Sequence, residues 1–137
     1  MALSFHPEAG TILICDYDTG FVRPEMVKRR PVVVISPRFK HRTGLCSVVP
    51  LSTTNPVPPM PWHHRLAIEP PLPRPFDSAT AWAKCDHVAT VSFARLHLIR
   101  MGRGADGRRE YRIGQVSGDD LAAIRRCVAE ALGIAVG

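Results

Sequence analysis

Two short segments carry residue types that could bind a phosphate. Residues 28–31 (Lys-Arg-Arg-Pro) place three consecutive cations directly before the most apolar run of the chain. Adjacent cations at the start of a strand form either a solvated patch or a clamp for a phosphate. Residues 50–54 (Pro-Leu-Ser-Thr-Thr) place three hydroxyls at the end of another apolar run. Such hydroxyls usually cap turns, and they also bond phosphates or sugars.

A third segment, residues 84–87 (Lys-Cys-Asp-His), brings a cation, a carboxylate and an imidazole together within four residues. These are the groups used for general acid–base catalysis. The same four residues also fit an ordinary turn at the end of a strand. The tetrapeptide alone therefore does not establish a site.

Other site motifs are absent from the sequence. It has no P-loop, no dinucleotide-binding glycine fingerprint and no nucleophile-elbow motif. His63 and His64 are adjacent, so on a strand they would point to opposite faces and make a poor metal pair. The cysteines have wide, irregular spacings, which favours buried free thiols over a zinc site. They are Cys15, Cys46, Cys85 and Cys127.

Composition predicts one soluble domain, residues 1–137, with an anionic partner. The chain has 137 residues, of which 45% are apolar and 22% charged, as in ordinary globular proteins. Its net charge of +6 favours nucleic acid, an acidic protein segment or an anionic membrane surface. No stretch approaches the roughly 20 apolar residues of a membrane-spanning helix. The N-terminus does not resemble a signal peptide, so we expect a cytoplasmic location and no membrane association.

The elements that must position these segments are short strands followed by one helix. Apolar, β-branched runs predict strands at residues 11–17, 32–35, 45–51, 64–68, 81–85, 88–92 and 110–116. Residues 93–99 are expected to form a brief helical turn, and residues 102–109 a basic, glycine-rich turn. Apolar residues then recur at helical spacing from residue 121 to residue 132, between an N-cap at Ser117 and a stop at Gly133. This order predicts a mainly β fold (α+β), a small antiparallel barrel with a C-terminal amphipathic helix packed on it.

Residues 52–80 contain most of the 13 prolines. A segment this long with little regular structure is usually either functional or disordered. Its rigid turns and large apolar side chains favour an ordered binding loop, centred on residues 55–75. Trp62 in this loop is expected either to stack on a base or on a partner's side chain, or to anchor the loop in the core.

Taken in order, these segments resemble the MazF/PemK (Kid) family of toxin endoribonucleases from type II toxin–antitoxin systems. The resemblance rests on Gly-Thr-Ile at residues 10–12, Asp-Tyr-Asp at 16–18, Arg-Pro-Val-Val-Val-Ile-Ser at 30–36 and Thr-Gly at 43–44. It continues through Val-Pro-Leu-Ser-Thr-Thr at 49–54 and Lys-Cys-Asp-His at 84–87, and it spans roughly residues 10–133.

The resemblance implies an SH3-like barrel of the CcdB/MazF toxin type, acting as a homodimer in the cytoplasm. It implies sequence-specific cleavage of single-stranded RNA without a metal or other cofactor. The 2′-hydroxyl attacks the adjacent phosphate, which leaves a 2′,3′-cyclic phosphate and a 5′-hydroxyl. A small acidic antitoxin would cover the basic groove.

The family's catalytic positions fall on identifiable residues of this sequence. The family arginine maps onto Arg30, which would stabilise charge on the phosphorane, and the family's strand-end threonine onto Ser52, with Thr53 beside it. The acidic candidates for the general base are Asp86 and Glu25. The residues expected to bind RNA are Lys28, Arg29, Lys84, His87, Trp62 and Thr54.

The sequence departs from the family pattern at three of these positions. Pro24 stands where the PemK/Kid branch has a histidine, Lys84 replaces an arginine, and Ser52 replaces a threonine. The changes at 24 and 84 keep open an alternative, a nucleic-acid-binding module without activity. A gyrase poison of the CcdB type is a further alternative, but it works through C-terminal aromatic residues and this chain ends Gly-Ile-Ala-Val-Gly.

Overall fold

The computed structural model describes residues 3–39 and 41–135. The described chain contains one eight-stranded antiparallel sheet and, after it, a single C-terminal helix. The strands of the sheet are β1 (Thr11–Cys15), β2 (Arg30–Val34), β3 (Leu45–Ser52), β4 (His63–Ala67), β5 (Thr80–Lys84), β6 (Ala89–Ser92), β7 (Leu96–His97) and β10 (Gly114–Gln115). Strands β8 (Ile99–Arg103) and β9 (Arg109–Arg112) form a separate hairpin, and the helix is α1 (Gly118–Ala131).

The sheet is built around β1, β2 and β3, which lie side by side. The eight-residue strand β3 is long enough to pair with β2 along one edge and with both β6 and β5 along the other. On the far side of β1 lie the short strands β7 and β10. All pairings are antiparallel, so the ends of β2 and β3 that carry the first two sequence motifs meet at one end of the sheet.

Two apolar cores lie on opposite faces of the sheet, as the two-residue period of a strand requires. The helix-side core contains Ile12, Val33 and Leu51 and packs against Ile124 and Val128 of α1. The opposite core alternates with it along the same strands. It contains Leu13, Cys15, Val32, Val34, Val48 and Tyr17. Because both faces of the sheet are covered, the sequences of β1 and β2 are largely apolar without alternation, as is typical of strands buried on both sides.

Helix α1 begins and ends where the sequence predicts. The Oγ atom of Ser117 accepts a hydrogen bond of 3.0 Å from the backbone N–H of Asp120, as an N-cap does. Gly133 has a φ of +72°, the left-handed conformation that ends a helix. Leu132, predicted on the buried face, is instead 60% exposed, because it lies beyond the last helical turn that contacts the sheet.

The mainly β fold class with one C-terminal helix is confirmed. Two local predictions held only in part. Residues 93–99 form a 3₁₀ turn only at Phe93–Arg95 and then continue as strand β7. Residues 110–116 do not form one strand, because β9 pairs with β8 in the hairpin while β10 pairs with β1 in the sheet. Within the described part of the chain, no helix is both long and apolar enough to cross a membrane.

Candidate active site

Arg30 is the first residue of β2, at the point where the sheet opens to solvent. It pairs with Cys15 of β1 and lies on the face of the opposite core, two residues from buried Val32. Its Nε atom is buried and has no hydrogen-bond partner among the described residues. The described residues also offer it no carboxylate within ion-pair distance. Arg30 is therefore a partly buried cation that forms no ion pair with the described residues.

The side chain beside Arg30 does not supply the missing negative charge. The Tyr17 hydroxyl is buried, and it too has no hydrogen-bond partner among the residues described. Burial raises the pKa of Tyr17 far above its ordinary value, and the nearby Arg30 guanidinium only partly opposes the rise. Tyr17 therefore stays neutral at physiological pH. No described carboxylate forms an ion pair with Arg30, so its charge is open to an external anion.

Next to Arg30 is a cleft of about 570 Å³, here called the basic cleft. Five cations line it: Lys28, Arg29, Arg30, Arg74 and Arg100. No acidic residue is among the described residues that line it. The apolar side chains of Leu72, Phe76 and Leu98 complete the walls. Crowded like charges repel one another, so this cleft favours a ligand that carries several negative charges.

Ser52 and Thr53 lie at the end of β3, next to Arg30. Both residues line a smaller depression that also contains Arg30, and Thr53 lines the basic cleft as well. Ser52 is buried, and its Oγ atom accepts a hydrogen bond of 3.2 Å from the backbone N–H of Thr54. The turn-capping role is therefore present for Ser52. Its hydroxyl proton is still available for donation to a second acceptor.

Glu25 lies in the loop between β1 and β2 and shares a surface depression with Lys28 and Arg30. Its Oε1 atom accepts a hydrogen bond of 2.9 Å from the backbone N–H of Val22, which fixes the loop turn. The start of this loop is held by Phe21, whose ring contacts Tyr17 edge-on at 5.0 Å. The structure thus brings Glu25 and Arg30 together.

Asp86 and His87 lie elsewhere. They belong to a 3₁₀ turn, Cys85–His87, that joins β5 to β6 and packs against α1. The Asp86 carboxylate is 4.0 Å from the His87 Nε2 atom and is 41% exposed. Neither residue lines the basic cleft or the depression that contains Glu25. Within one chain, the third sequence motif is therefore separated from the first two.

Lys84 lies between these two regions. It follows Trp82 by two residues on β5, and Trp82 pairs directly with Ser52. Residues two apart on a strand share a face, so Lys84 and Ser52 lie on the same side of the sheet. Lys84 is thus nearer to the hydroxyl motif than Asp86 is.

The remaining candidates for RNA binding divide between surface and core. Thr54 is exposed at the end of β3. Trp62 is half-buried and packs on the helix-side core, with its ring 6.1 Å from that of His63. This position favours anchoring of the loop over stacking on a ligand, the two alternatives predicted for Trp62. Ordering of the proline-rich segment is also visible at Leu72, which is 2% exposed within the same core.

The cysteines are free thiols, as predicted, and three of the four are buried. Burial raises the pKa of Cys15 to about 12 and that of Cys46 to about 11, so both remain protonated and unreactive at neutral pH. Among the described residues, no three His, Cys, Asp or Glu side chains come close enough to hold a metal ion.

Sequence analysis missed two cations of the basic cleft. Arg74 comes from the proline-rich segment, and Arg100 comes from β8. Both lie far along the chain from residues 28–30. The only signal for Arg100 was the basic composition of the glycine-rich turn that follows it.

Comparison with known proteins assigns the chain to a family. Residues 8–132 match a family model described as PemK-like, MazF-like toxin of type II toxin–antitoxin system. The chain is 34% identical over 122 residues to the protein YifN of Escherichia coli K12, across 76% of this chain and 80% of YifN. A protein of Haemophilus influenzae is 32% identical over 111 residues, across 72% of this chain and 76% of that protein.

Solved structures share the fold at lower identity. An endoribonuclease in complex with its cognate antitoxin, from a Mycobacterial species, superposes with a TM-score of 0.64 at 20% identity, covering 96% of this chain and 100% of that one. MazF from Deinococcus radiodurans gives a TM-score of 0.62 at 21% identity, covering 96% of this chain and 100% of that chain. The family match over most of the chain and the relatives above 30% identity lead to one conclusion: this chain belongs to the PemK-like, MazF-like toxins of type II toxin–antitoxin systems.

Proposed function

We propose that this chain is the endoribonuclease toxin of a toxin–antitoxin pair and that it cleaves single-stranded RNA in the cytoplasm without a metal ion. The observation that carries the proposal is the basic cleft, in which five cations and no acidic described residue surround a space of about 570 Å³. RNA is the polyanion that we expect such a cleft to bind in a member of this family. A relative of the same fold is described as an endoribonuclease in complex with its cognate antitoxin.

The proposed reaction is an internal transfer at phosphorus. A base removes the proton of the 2′-hydroxyl, the 2′ oxygen forms a bond to phosphorus, and the bond from phosphorus to the 5′ oxygen breaks. The products are a 2′,3′-cyclic phosphate and a 5′-hydroxyl that has gained one proton. Negative charge grows on the two non-bridging oxygens as the phosphorane forms, so catalysis depends on a cation fixed beside them.

Arg30 is proposed as that cation. Its Nε atom is buried without a hydrogen-bond partner in the described part of the chain, its backbone pairs with Cys15, and its charge lies near Tyr17. A pre-positioned cation does not have to reorganise as the charge develops, which is the most effective form of electrostatic catalysis. Its planar fork can also bond two phosphate oxygens at once. Proton donation by Arg30 is a lesser role, because the pKa of an arginine exceeds about 12.

Glu25 and Asp86 are the two candidates for the base, and the geometry favours Glu25. Glu25 shares a depression with Arg30, whereas Asp86 lies on the turn beside α1. Only one Glu25 oxygen is used in the loop hydrogen bond, so the other can accept the 2′-hydroxyl proton. Ser52 and Thr53, which line a depression with Arg30, are proposed to hold the phosphate, and Lys84 is proposed to bind RNA.

The remaining binding roles follow from position. Lys28 and Arg29, which line the basic cleft, are proposed to hold neighbouring phosphates. Thr54 and His87 are proposed as outer contacts to RNA. Trp62, packed on the core, is proposed to act chiefly by anchoring the loop.

The proposed partners are a second copy of the chain and a small acidic antitoxin. A net charge of +6 suits both RNA and an acidic antitoxin, which would then compete for the same surface. MazF from Deinococcus radiodurans is described in a MazE–MazF structure with the same fold, at a TM-score of 0.55. Light scattering of the purified protein is expected to give the mass of a dimer, and a monomer at micromolar concentration would remove this part of the proposal.

The experiment that tests the proposed function compares five proteins on one long single-stranded RNA. We expect the wild type and Arg126→Gln, which removes an exposed cation of α1, to cut at the same discrete positions. Arg30→Met is expected to cut at none of them. Glu25→Gln and Asp86→Asn then identify the base, since only loss of the true base slows cleavage by a factor of about 100 or more. An RNA that the wild type binds but leaves intact would favour the inactive binding module.

A further inference from the structure

The β8–β9 hairpin carries half of the net charge of the molecule. Residues 99–112 contain five arginines and two acidic residues, a net +3, against +6 for the whole chain. Only the base of the hairpin is tied to the body. Ile99 is buried in the helix-side core, and the Arg112 Nη1 atom donates a hydrogen bond of 2.9 Å to the backbone carbonyl of Pro71. Beyond these contacts the strands extend into solvent.

The arginines are not distributed evenly around the hairpin. Arg109 and Tyr111 are two residues apart on β9, so they share one face. Their partners across the ladder are Arg103 and Arg100. The register is interrupted by a bulge between Arg100 and Gly102, and this bulge brings Arg100 and Arg103 to the same face although they are three residues apart. One face of the hairpin therefore presents three arginines and a tyrosine. We call these residues, Arg100, Arg103, Arg109 and Tyr111, the arginine face.

The arginine face begins inside the basic cleft. Arg100 lines the cleft together with Arg30. Because of the bulge, the step from Arg100 to Arg103 matches the two-residue step from Tyr111 to Arg109, which corresponds to about 7 Å along a strand. A single strand of RNA that leaves the cleft beside Arg100 would therefore meet the Arg103–Arg109 pair within a few nucleotides.

The arginine face is electrostatically unfavourable without a ligand. Arg103 and Arg109 are directly opposite each other, and like charges in that position destabilise a strand pair. The Asp106 carboxylate is 3.8 Å from Arg108, in the turn, and no carboxylate of a described residue lies within ion-pair distance of Arg103 or Arg109. Arg103 instead donates a hydrogen bond of 2.8 Å to the Gly107 backbone carbonyl. A phosphate between the two guanidinium groups would remove the repulsion.

We propose that the arginine face of the β8–β9 hairpin is an RNA-binding arm, which holds the substrate strand on one side of the basic cleft. The proposal rests on the proposed function, because it assigns the path of the same RNA. Arg103 and Arg109 contact phosphates, and Tyr111 offers a ring on which an unpaired base stacks, with no sequence preference of its own. The arm adds affinity for long RNA and leaves a short RNA confined to the cleft unaffected.

The test uses RNA that cannot be cut, so that binding is measured apart from cleavage. Two single-stranded RNAs of one sequence, a short one and a long one, carry 2′-O-methyl groups throughout, which removes the nucleophile. Their affinities are measured over a range of salt concentrations for the wild type, Arg103→Gln/Arg109→Gln and the control Arg126→Gln. Urea unfolding of each protein checks that the fold is retained.

For the double variant we expect affinity for the long RNA to fall by about tenfold, and affinity for the short RNA to stay the same. The slope of log Kd against log salt concentration should flatten by about 1.4, since each phosphate contact on a single strand contributes about 0.7. Arg126→Gln should change neither quantity. Tyr111→Leu should weaken binding of the long RNA while Tyr111→Phe should not, because both keep an apolar side chain and only phenylalanine keeps the ring.

The arm is refuted if the double variant binds the long RNA as the wild type does, or if it loses no more affinity than Arg126→Gln. Loss of binding to an acidic protein with RNA binding unchanged would also overturn it and would assign the hairpin to the antitoxin. Failure of the proposed function is seen in a separate assay. A wild-type protein that leaves unmodified RNA uncut contradicts the proposed function, whereas the arm is tested only by the length-dependent binding of the 2′-O-methyl RNAs.

Discussion

Replacing Arg30 with methionine separates its contribution to stability from its contribution to catalysis. The Arg30 Nε atom is buried without a hydrogen-bond partner in the described chain, and such an unsatisfied group costs about 1–3 kcal/mol. Methionine has a similar length, carries no donor and can pack against Cys15, Val32 and Tyr17 of the opposite core. We therefore expect Arg30→Met to raise the free energy of unfolding by about 1 kcal/mol, or a Tm rise of about 3 °C.

The same variant is expected to lose cleavage. Removing one group that stabilises charge in a transition state typically lowers kcat by a factor of about 100 to 1,000. Unfolding is followed in urea through the fluorescence of Trp62 and Trp82, and cleavage is followed on the same preparation with a labelled RNA. Arg126→Met is the control, since it should alter neither quantity strongly. A variant that unfolds more than about 1 kcal/mol more easily than the wild type would show that Arg30 is a structural residue, and one that retains cleavage would remove it from the active site.

Three further predictions follow from packing and burial. Leu72→Ala should lower the free energy of unfolding by about 3 kcal/mol, because removal of this 2% exposed side chain leaves a cavity in the helix-side core. A loss below about 1 kcal/mol in urea unfolding would show that the proline-rich segment is only loosely docked. His64→Ala should cost about 1 kcal/mol, because the 2.9 Å hydrogen bond from β4 to Asp120 of α1 is lost, and unchanged urea unfolding would contradict it. Burial raises the pKa of Cys15 to about 12 and that of Cys46 to about 11, from an ordinary 9.0. As pH rises, the unfolded chain therefore releases these two protons before the folded chain does. The stability that the buried neutral thiols contribute is fully present below pH 9 and is lost as pH rises towards 11 to 12. These two thiols are expected to contribute a loss of about 2–3 kcal/mol between pH 8 and pH 10, and thiolate absorbance from more than two of the four thiols near pH 9 in the folded protein would refute it.

Local pattern predicted most of the sheet because both of its faces are covered. Val32, Val33 and Val34 form an unbroken apolar run, and the two faces of β2 lie in two different cores. The helix was equally predictable, since Ser117 and Gly133 are chemical signals for its start and its end. Each of these elements is defined by neighbours in sequence, so the sequence alone carries the information.

The site was only partly predictable because its cations come from distant parts of the chain. Arg29 and Arg30 could be found from the run at residues 28–30. Arg74 and Arg100 reach the same cleft only through the docking of Leu72 and Ile99 in the core. The predicted strand at residues 110–116 is split for a similar reason. Its first part, β9, pairs with β8 and its last part, β10, pairs with the distant strand β1, which the local pattern does not reveal.

The separation of Asp86 from Arg30 also depends on long-range packing. The Lys-Cys-Asp-His motif follows a strand, as expected, but Cys85 turns into the helix-side core and carries Asp86 towards α1. The residue of β5 that pairs with Ser52 is Trp82, four positions before Asp86. The spacing of residues within the Lys-Cys-Asp-His motif therefore did not indicate whether Asp86 or Glu25 lies near Arg30.

The chemistry of the RNA ends tests the central claim most directly. Purified protein is incubated with a long single-stranded RNA in EDTA, and the ends of the fragments are identified with Arg30→Met alongside. The account predicts discrete cuts that carry a 5′-hydroxyl and a 2′,3′-cyclic phosphate and that are absent with the variant. Fragments with 5′-phosphates, cuts that require a divalent metal, or cuts that persist without Arg30 would contradict it.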